Sequence, residues 1–185
     1  MEQRIMGLEF KSLMGEAPAR LRISEGRIEG YASLYGLPDQ GGDVVSPGAY
    51  TDCLARLAQE GRRVAMLWQH DQTQPIGVWE EIFEDGTGLF VRGYLLEDVA
   101  RAREARALLE AGAMDGLSIG YRVVRAHRDA QGQRILTELD LWEVSLVTFP
   151  MLKEARVAAK AMPLGAELSH LARALRAAAS QLAGH

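Results

Sequence analysis

The stretch GLSIGYRVVRAHRDAQGQRILTELDLWEVSLV, Gly116–Val147, decides the fold. Leu117 to Arg125 and Arg134 to Val147 carry β-branched and other apolar residues among polar ones. Between them lies a polar, glycine-containing run, Asp129 to Gln133. The pattern predicts two long strands joined by a turn. The same stretch opens with Gly116-Leu117-Ser118-Ile119-Gly120, a match to the G-x-S-x-G nucleophile elbow, which needs a strand before its serine and a helix after it. Here the order is reversed. Asp98 to Ala111 is dense in helix formers and stops at Gly112, whereas the residues after Ser118 continue as strand. Ser118, Asp140 and His170 do follow the hydrolase chain order, but His170 falls in a C-terminal helical segment. The alternating strand-helix units of a parallel sheet are also missing. Ser118 therefore belongs to a strand of a mainly antiparallel sheet rather than to an elbow.

Outward from this core, Gly7 to Leu13 and Arg20 to Leu34 read as a hairpin around Glu25-Gly26. Gln40 to Gly48 is rich in turn formers, and Ser46-Pro47 predicts the start of a helix from Pro47 to Gln59 that stops at Gly61. Strands are predicted at Val64–His70, Ile76–Phe83 and Leu89–Leu96. A turn over Asp71–Pro75 follows the first, and Asp85-Gly86 separates the last two. Beyond Pro163, the residues Leu164, Leu168, Leu171, Leu175 and Leu182 have helical spacing. The expected organisation is a domain over residues 1–159 and an amphipathic helical tail over 160–185. The sum, about seven strands and three helices joined mostly by turns, is an α+β, mainly β class: a small antiparallel β-barrel flanked by helices.

An apolar fraction of 48% and a charged fraction of 25% are those of an ordinary globular protein. The net charge of -4 gives no general electrostatic footprint for nucleic acid. No apolar run approaches the ~18 residues of a membrane span, so neither anchor nor signal peptide is expected. Cys53 is the lone cysteine, which excludes an internal disulfide and fits a small buried hydrophobe. His70, Asp71 and His127 lack metal-ligand spacing, and Gly41-Gly42 before Asp43 lacks the Lys and Ser/Thr of a phosphate loop. Neither metal nor cofactor is expected.

Two further residues carry potential chemistry. His70 ends an apolar strand, where an imidazole reaches into a cleft as a general base or is satisfied by Asp71 or a turn carbonyl. Glu143 interrupts the apolar run Trp142–Val147. On a two-residue period it shares a face with Leu141, Ser145 and Val147, and it lines a polar pocket or faces water. If buried, it needs a partner, and an imidazole is suitable.

Taken in order, the segments Gly30-Tyr31-Ala32, Gly42-Asp43-Val44-Val45 with Pro47-Gly48-Ala49-Tyr50, Trp68-Gln69-His70-Asp71 with Pro75-Ile76-Gly77, Gly116 to Tyr121, and Glu143 to Val147 with Pro150 resemble the prohead proteases of tailed bacteriophages and gene transfer agents. The similarity runs from about Ile28 to Ala159. The resemblance implies a fold similar to herpesvirus assemblin and a serine endopeptidase with His70, Ser118 and Glu143 as its catalytic residues. Its implied partners are the major capsid protein and scaffold segments as substrate, with a possible homodimer and no nucleic acid or membrane. The implied place of action is the assembling procapsid in the bacterial host cytoplasm. Self-processing near Lys160–Leu164 is a further expectation, and Ser145 is the reserve nucleophile. The sequence departs from the family's usual Pro-Ala-Asn after the last strand, having Pro150-Met151-Leu152. The rival reading is a non-catalytic assembly or scaffolding factor with the same fold.

Overall fold

The computed structural model describes residues 26–156. In chain order these form β1 (Arg27–Leu34), β2 (Asp43–Val45), α1 (Thr51–Gln59), β3 (Ala65–Trp68), β4 (Asp71–Glu84), β5 (Gly88–Leu95), α2 (Ala100–Glu110), β6 (Gly116–Arg128) and β7 (Arg134–Val147). The expected strand Gly7–Leu13, residues 20–25 of its expected hairpin partner and the C-terminal helix lie outside the described residues.

Both helices stop where glycine permits a left-handed residue. At Gly61 (φ 63°) Arg62 N–H bonds the Leu57 carbonyl at 2.9 Å, and at Gly112 (φ 68°) Ala113 N–H bonds that of Leu108 at 2.9 Å. Each is the long 6→1 bond of a Schellman motif. The start of α1 is later than Pro47, because Gly48 (φ 83°) cannot sit in a right-handed helix and residues 46–50 form turns instead. Glu84 at the end of β4 satisfies the late start, accepting from Tyr50 N–H at 3.1 Å and from Thr51 Oγ1 at 2.6 Å.

All seven strands join one sheet, ordered β1-β5-β4-β3-β7 with β6 on the far side of β7. The expectation of an antiparallel barrel is corrected in two respects: the sheet is mixed, and it is open. One edge of β7 carries two strands in line, β2 against residues 134–136 and β3 against residues 143–146, both parallel to it. The chain leaves β2 with Ser46 N–H on Leu136 O, crosses Leu139 N–H with Ala49 O, and runs through α1. It then returns to the same edge in the same direction, as a parallel pair requires. β2 was hidden among turn formers because three residues cannot show a two-residue period. β6 pairs antiparallel with the other edge of β7. Among the described residues β1 and β6 share no ladder, so the sheet curls into a half-barrel with a cleft where they face each other.

The core fills the concave face, where Met66, Ile76, Val91, Leu117, Leu139 and Val144 pack with Cys53 and Leu57 of α1 and Ala102, Ala105 and Leu109 of α2. Along β7 the inward residues change parity, from Leu139 and Leu141 to Val144 and Leu146. The cause is a bulge: Tyr121 opposes Leu141 while Gly120 opposes Glu143, leaving Trp142 as an extra residue, 55% exposed. The simple alternation that put Leu141 beside Glu143 is thereby overturned. Leu141 faces the core, and Glu143 joins Ser145 on the opposite face.

Candidate active site

His70 does not end a strand that then turns at Asp71–Pro75. Trp68 pairs with Asp71, so the reversal is made by Gln69 and His70 alone, with φ 52° and φ 61°. Two left-handed residues in a two-residue loop give the primed turn that suits the twist of a hairpin, a place where Asn-Gly is normal. Gln lacks that preference and His, though commoner at positive φ than most residues, is no substitute for glycine; the conformation costs about 1–2 kcal/mol per residue. The segment after His70 is a bulged piece of β4, with Leu67 opposite Pro75, in which Asp71 Oδ1 accepts from Thr73 N–H at 2.9 Å and Thr73 Oγ1 at 2.7 Å.

Bonds to distant residues hold the turn. Gln69 N–H donates to Leu146 O at 2.9 Å and Gln69 Nε2 to Thr148 Oγ1 at 2.7 Å, while Thr148 N–H returns to Gln69 Oε1 at 3.3 Å. His70 N–H donates to Ser145 Oγ at 3.1 Å. The chain after β7 is tied in turn, because Gln40 donates to Pro150 O at 2.8 Å through Nε2 and to Met151 O at 2.9 Å through N–H. Thus Pro150-Met151-Leu152 forms an anchored loop, with Leu152 buried against Leu34 and Ala155.

Glu143 is buried, so it does not face water and needs a partner. Its Oε1 lies 2.5 Å from His70 Nδ1, and its Oε2 accepts from Ser145 Oγ at 2.6 Å. Gly120 stands opposite across the ladder; a Cβ there would lie 2.1 Å from Glu143 Oε1, so only glycine leaves room for the carboxylate. The hydrogen bond that His70 donates to Glu143 holds the imidazole above its ordinary pKa; partial burial opposes this and the carboxylate's charge reinforces it.

Ser118 pairs with Ser145 in the β6–β7 register, which puts both hydroxyls on the face that carries Glu143. It is buried and lines a cleft of about 70 Å³ together with Ala32, Leu34, Ile119 and Met151. Among the described residues no hydrogen bond joins Ser118 to His70. With Nδ1 engaged by Glu143, Nε2 is the ring nitrogen left for an incoming proton. Ser145 is fully buried and its hydroxyl is engaged by Glu143 and His70 N–H, so it is unsuited to attack a substrate. Asp140, the acid of the hydrolase order, sits elsewhere, bonded to Arg56, Arg122, Trp142 and Cys53. His170 is outside the described residues.

The structure sets His70 against Glu143, with Ser118 on the sheet face of Glu143, three residues that the sequence groups only through the family resemblance. The sequence reading missed Gln69 and the bridging part of Ser145, and offered Gly120 as an oxyanion donor rather than as the space that houses Glu143. Two of these had a signal: Gly120 follows Ser118 by two and Ser145 follows Glu143 by two, the spacing of one strand face.

A match to the caudovirus prohead serine protease family covers residues 17–167. The prohead protease of Enterobacteria phage HK97 is 35% identical over 138 residues, which are 73% of this chain and 60% of that protein. The chain therefore spans about three-fifths of its relative's length. The solved structure of the bacteriophage T4 capsid assembly protease, gp21, aligns with a TM-score of 0.53 at 15% identity, over 71% of this chain and 93% of that one. That likeness is one of fold.

Proposed function

The chain belongs to the caudovirus prohead serine protease family, and on that premise we propose that it is a serine endopeptidase that cuts capsid and scaffold segments inside the assembling procapsid of a bacterial host. Ser118 is the nucleophile, His70 the general base and Glu143 the orienting acid. The observation that carries this reading is the contact of 2.5 Å between His70 Nδ1 and Glu143 Oε1, on the sheet face that also bears Ser118.

In this mechanism Glu143 keeps the imidazole proton on Nδ1, leaving Nε2 unprotonated to take the Ser118 proton as Oγ attacks the scissile carbonyl. The imidazolium that forms is stabilised by the adjacent carboxylate and then returns the proton to the leaving amine. Two backbone N–H groups have to hold the oxyanion. Water hydrolyses the acyl-enzyme by the same route. The exposure of the His70 side chain, 42%, gives a substrate access to the imidazole.

A non-catalytic scaffold has no use for this arrangement. A carboxylate buried in an apolar strand and two non-glycine residues in the left-handed region each cost stability. A merely structural hairpin would replace Gln69-His70 with Asn-Gly and Glu143 with an apolar residue. Ser118→Ala is expected to abolish cleavage of the co-expressed capsid protein while leaving the circular dichroism spectrum unchanged. Undiminished processing by that variant overturns the assignment of the nucleophile. Mass spectrometry of the purified protein, with Ser118→Ala as control, tests self-processing in the same experiment.

A further inference from the structure

We propose that Ser145 is a positioning residue of the catalytic site, its single hydroxyl setting both the Glu143 carboxylate and the backbone of His70. The inference rests on the reading of His70 and Glu143 as base and orienting acid, and adds the part that fixes their mutual geometry.

A serine hydroxyl has one proton to give and lone pairs to receive. Ser145 spends the proton on Glu143 Oε2 at 2.6 Å and receives His70 N–H at 3.1 Å. Both uses go to the same catalytic pair, from a residue with 0% exposure. Packing does not ask for a hydroxyl there: Val144 and Leu146 point to the core on the opposite face, and Val147, two residues along on the Ser145 face, is apolar and buried. Alanine would fill the site nearly as well.

The turn shows why the link matters. His70 and Gln69 are held at φ 61° and φ 52°, a conformation that relaxes unless external bonds oppose it. Among the described residues, side-chain bonds hold His70 at its ring, to Glu143, and at its N–H, to Ser145, and Glu143 is in turn tethered by Ser145. Removing one hydroxyl therefore loosens both ends of the imidazole's support. It also matters that Ser145 faces Ser118 across the ladder. Its proton, being engaged by Glu143, does not compete for His70 Nε2 in place of that of Ser118.

The test is Ser145→Ala, made first in the Ser118→Ala background so that no turnover is needed. Among the described residues, Glu143 from β7 is the charged group bonded to the His70 ring. Asp71 next to it is bound to Thr73, and Arg101 of α2 lies over the Trp68 ring. The Glu143 bond is the leading cause of the raised His70 pKa. With the carboxylate released, the imidazole is expected to titrate closer to its ordinary value, followed by proton NMR of the ring. In the active background kcat is expected to fall about 10²-fold, the cost of misplacing a reacting group by ~1 Å, with KM changing little. The acid limb of the pH profile should move to lower pH. Ser145→Cys, close in size and a weaker donor, should lie between parent and alanine, and it serves if Ser145→Ala does not fold. Unchanged His70 titration in the folded variant, or a loss of kcat without movement of the limb, overturns the proposal. Failure of the underlying reading looks different: Glu143→Gln would then cleave at the parent rate, whatever Ser145→Ala does.

Discussion

Gly120→Ala places one methyl group against the acid of the proposed triad. A Cβ built at Gly120 lies 2.1 Å from Glu143 Oε1, 2.7 Å from Cδ and 2.8 Å from Cγ, all inside the closest approach of real carbon atoms. The backbone does not object, since Gly120 is not among the glycines with positive φ. Were the carboxylate free to swing away, the change would be cheap. It is tethered at both oxygens, 2.5 Å from His70 Nδ1 and 2.6 Å from Ser145 Oγ, so making room breaks at least one of these bonds. Overpacking of this kind costs about 1–3 kcal/mol, within the ~5–15 kcal/mol that a domain normally holds in reserve. The fold should survive. Catalysis should not, because disabling the group that orients the imidazole costs up to ~10⁴ in kcat in serine proteases. A displaced carboxylate should fall between ~10² and that limit. The assay is the cleavage rate of a capsid-derived peptide by parent, Gly120→Ala, Glu143→Ala and the double variant. Truncating Glu143 to alanine removes the three atoms nearest the new methyl, so in that background Gly120→Ala should cost less than about 3-fold. An equal loss in both backgrounds, or a single variant as active as the parent, refutes the claim that Gly120 acts by housing Glu143.

Two further outcomes are expected. Because Glu143 raises the His70 pKa and the base must be neutral to work, kcat/KM should fall as pH drops through a value above the ordinary 6.5. Glu143→Gln should shift that limb downward, and a limb that stays put in the pH–rate profile would mean another group orients the imidazole. Glu84→Ala removes the acceptor for Tyr35 O–H at 2.6 Å, Tyr50 N–H at 3.1 Å and Thr51 Oγ1 at 2.6 Å. It should cost about 1–3 kcal/mol in urea denaturation with kcat intact, and an unchanged midpoint would show that α1 needs no such cap.

What the sequence displayed clearly was anything written in local preference. Arg134–Val147 has the bounds that its residue pattern predicts, Gly61 and Gly112 stop their helices, and the helix before Ser118 removed the elbow reading in favour of a strand. What stayed hidden depends on partners far along the chain. The left-handed pair Gln69-His70 has no local motive; it is imposed by Ser145, Leu146 and Thr148, more than seventy residues away. The bulge at Trp142 is invisible until β6 is laid beside β7, since one extra residue reverses the parity on which face assignments rest. Without it, Leu141 would share the face of Glu143 and leave the core. The carboxylate itself breaks the apolar pattern of its strand.

These departures from local rule meet at one point. The strained turn delivers the imidazole, the bulge sets the phase of Glu143 and Ser145, and Gly120 opens the space between them. A fold selected for stability alone would have removed each one, by Asn-Gly in the turn, a regular ladder in β7 and a larger residue at position 120. Their convergence separates this corner of the sheet from Asp140, which is equally rich in hydrogen bonds but is held by ion pairs to exposed arginines, with no left-handed residue among its partners. Bond number would rank the two clusters together. Conformational cost, concentrated where His70, Glu143 and Ser118 share a face, tells them apart.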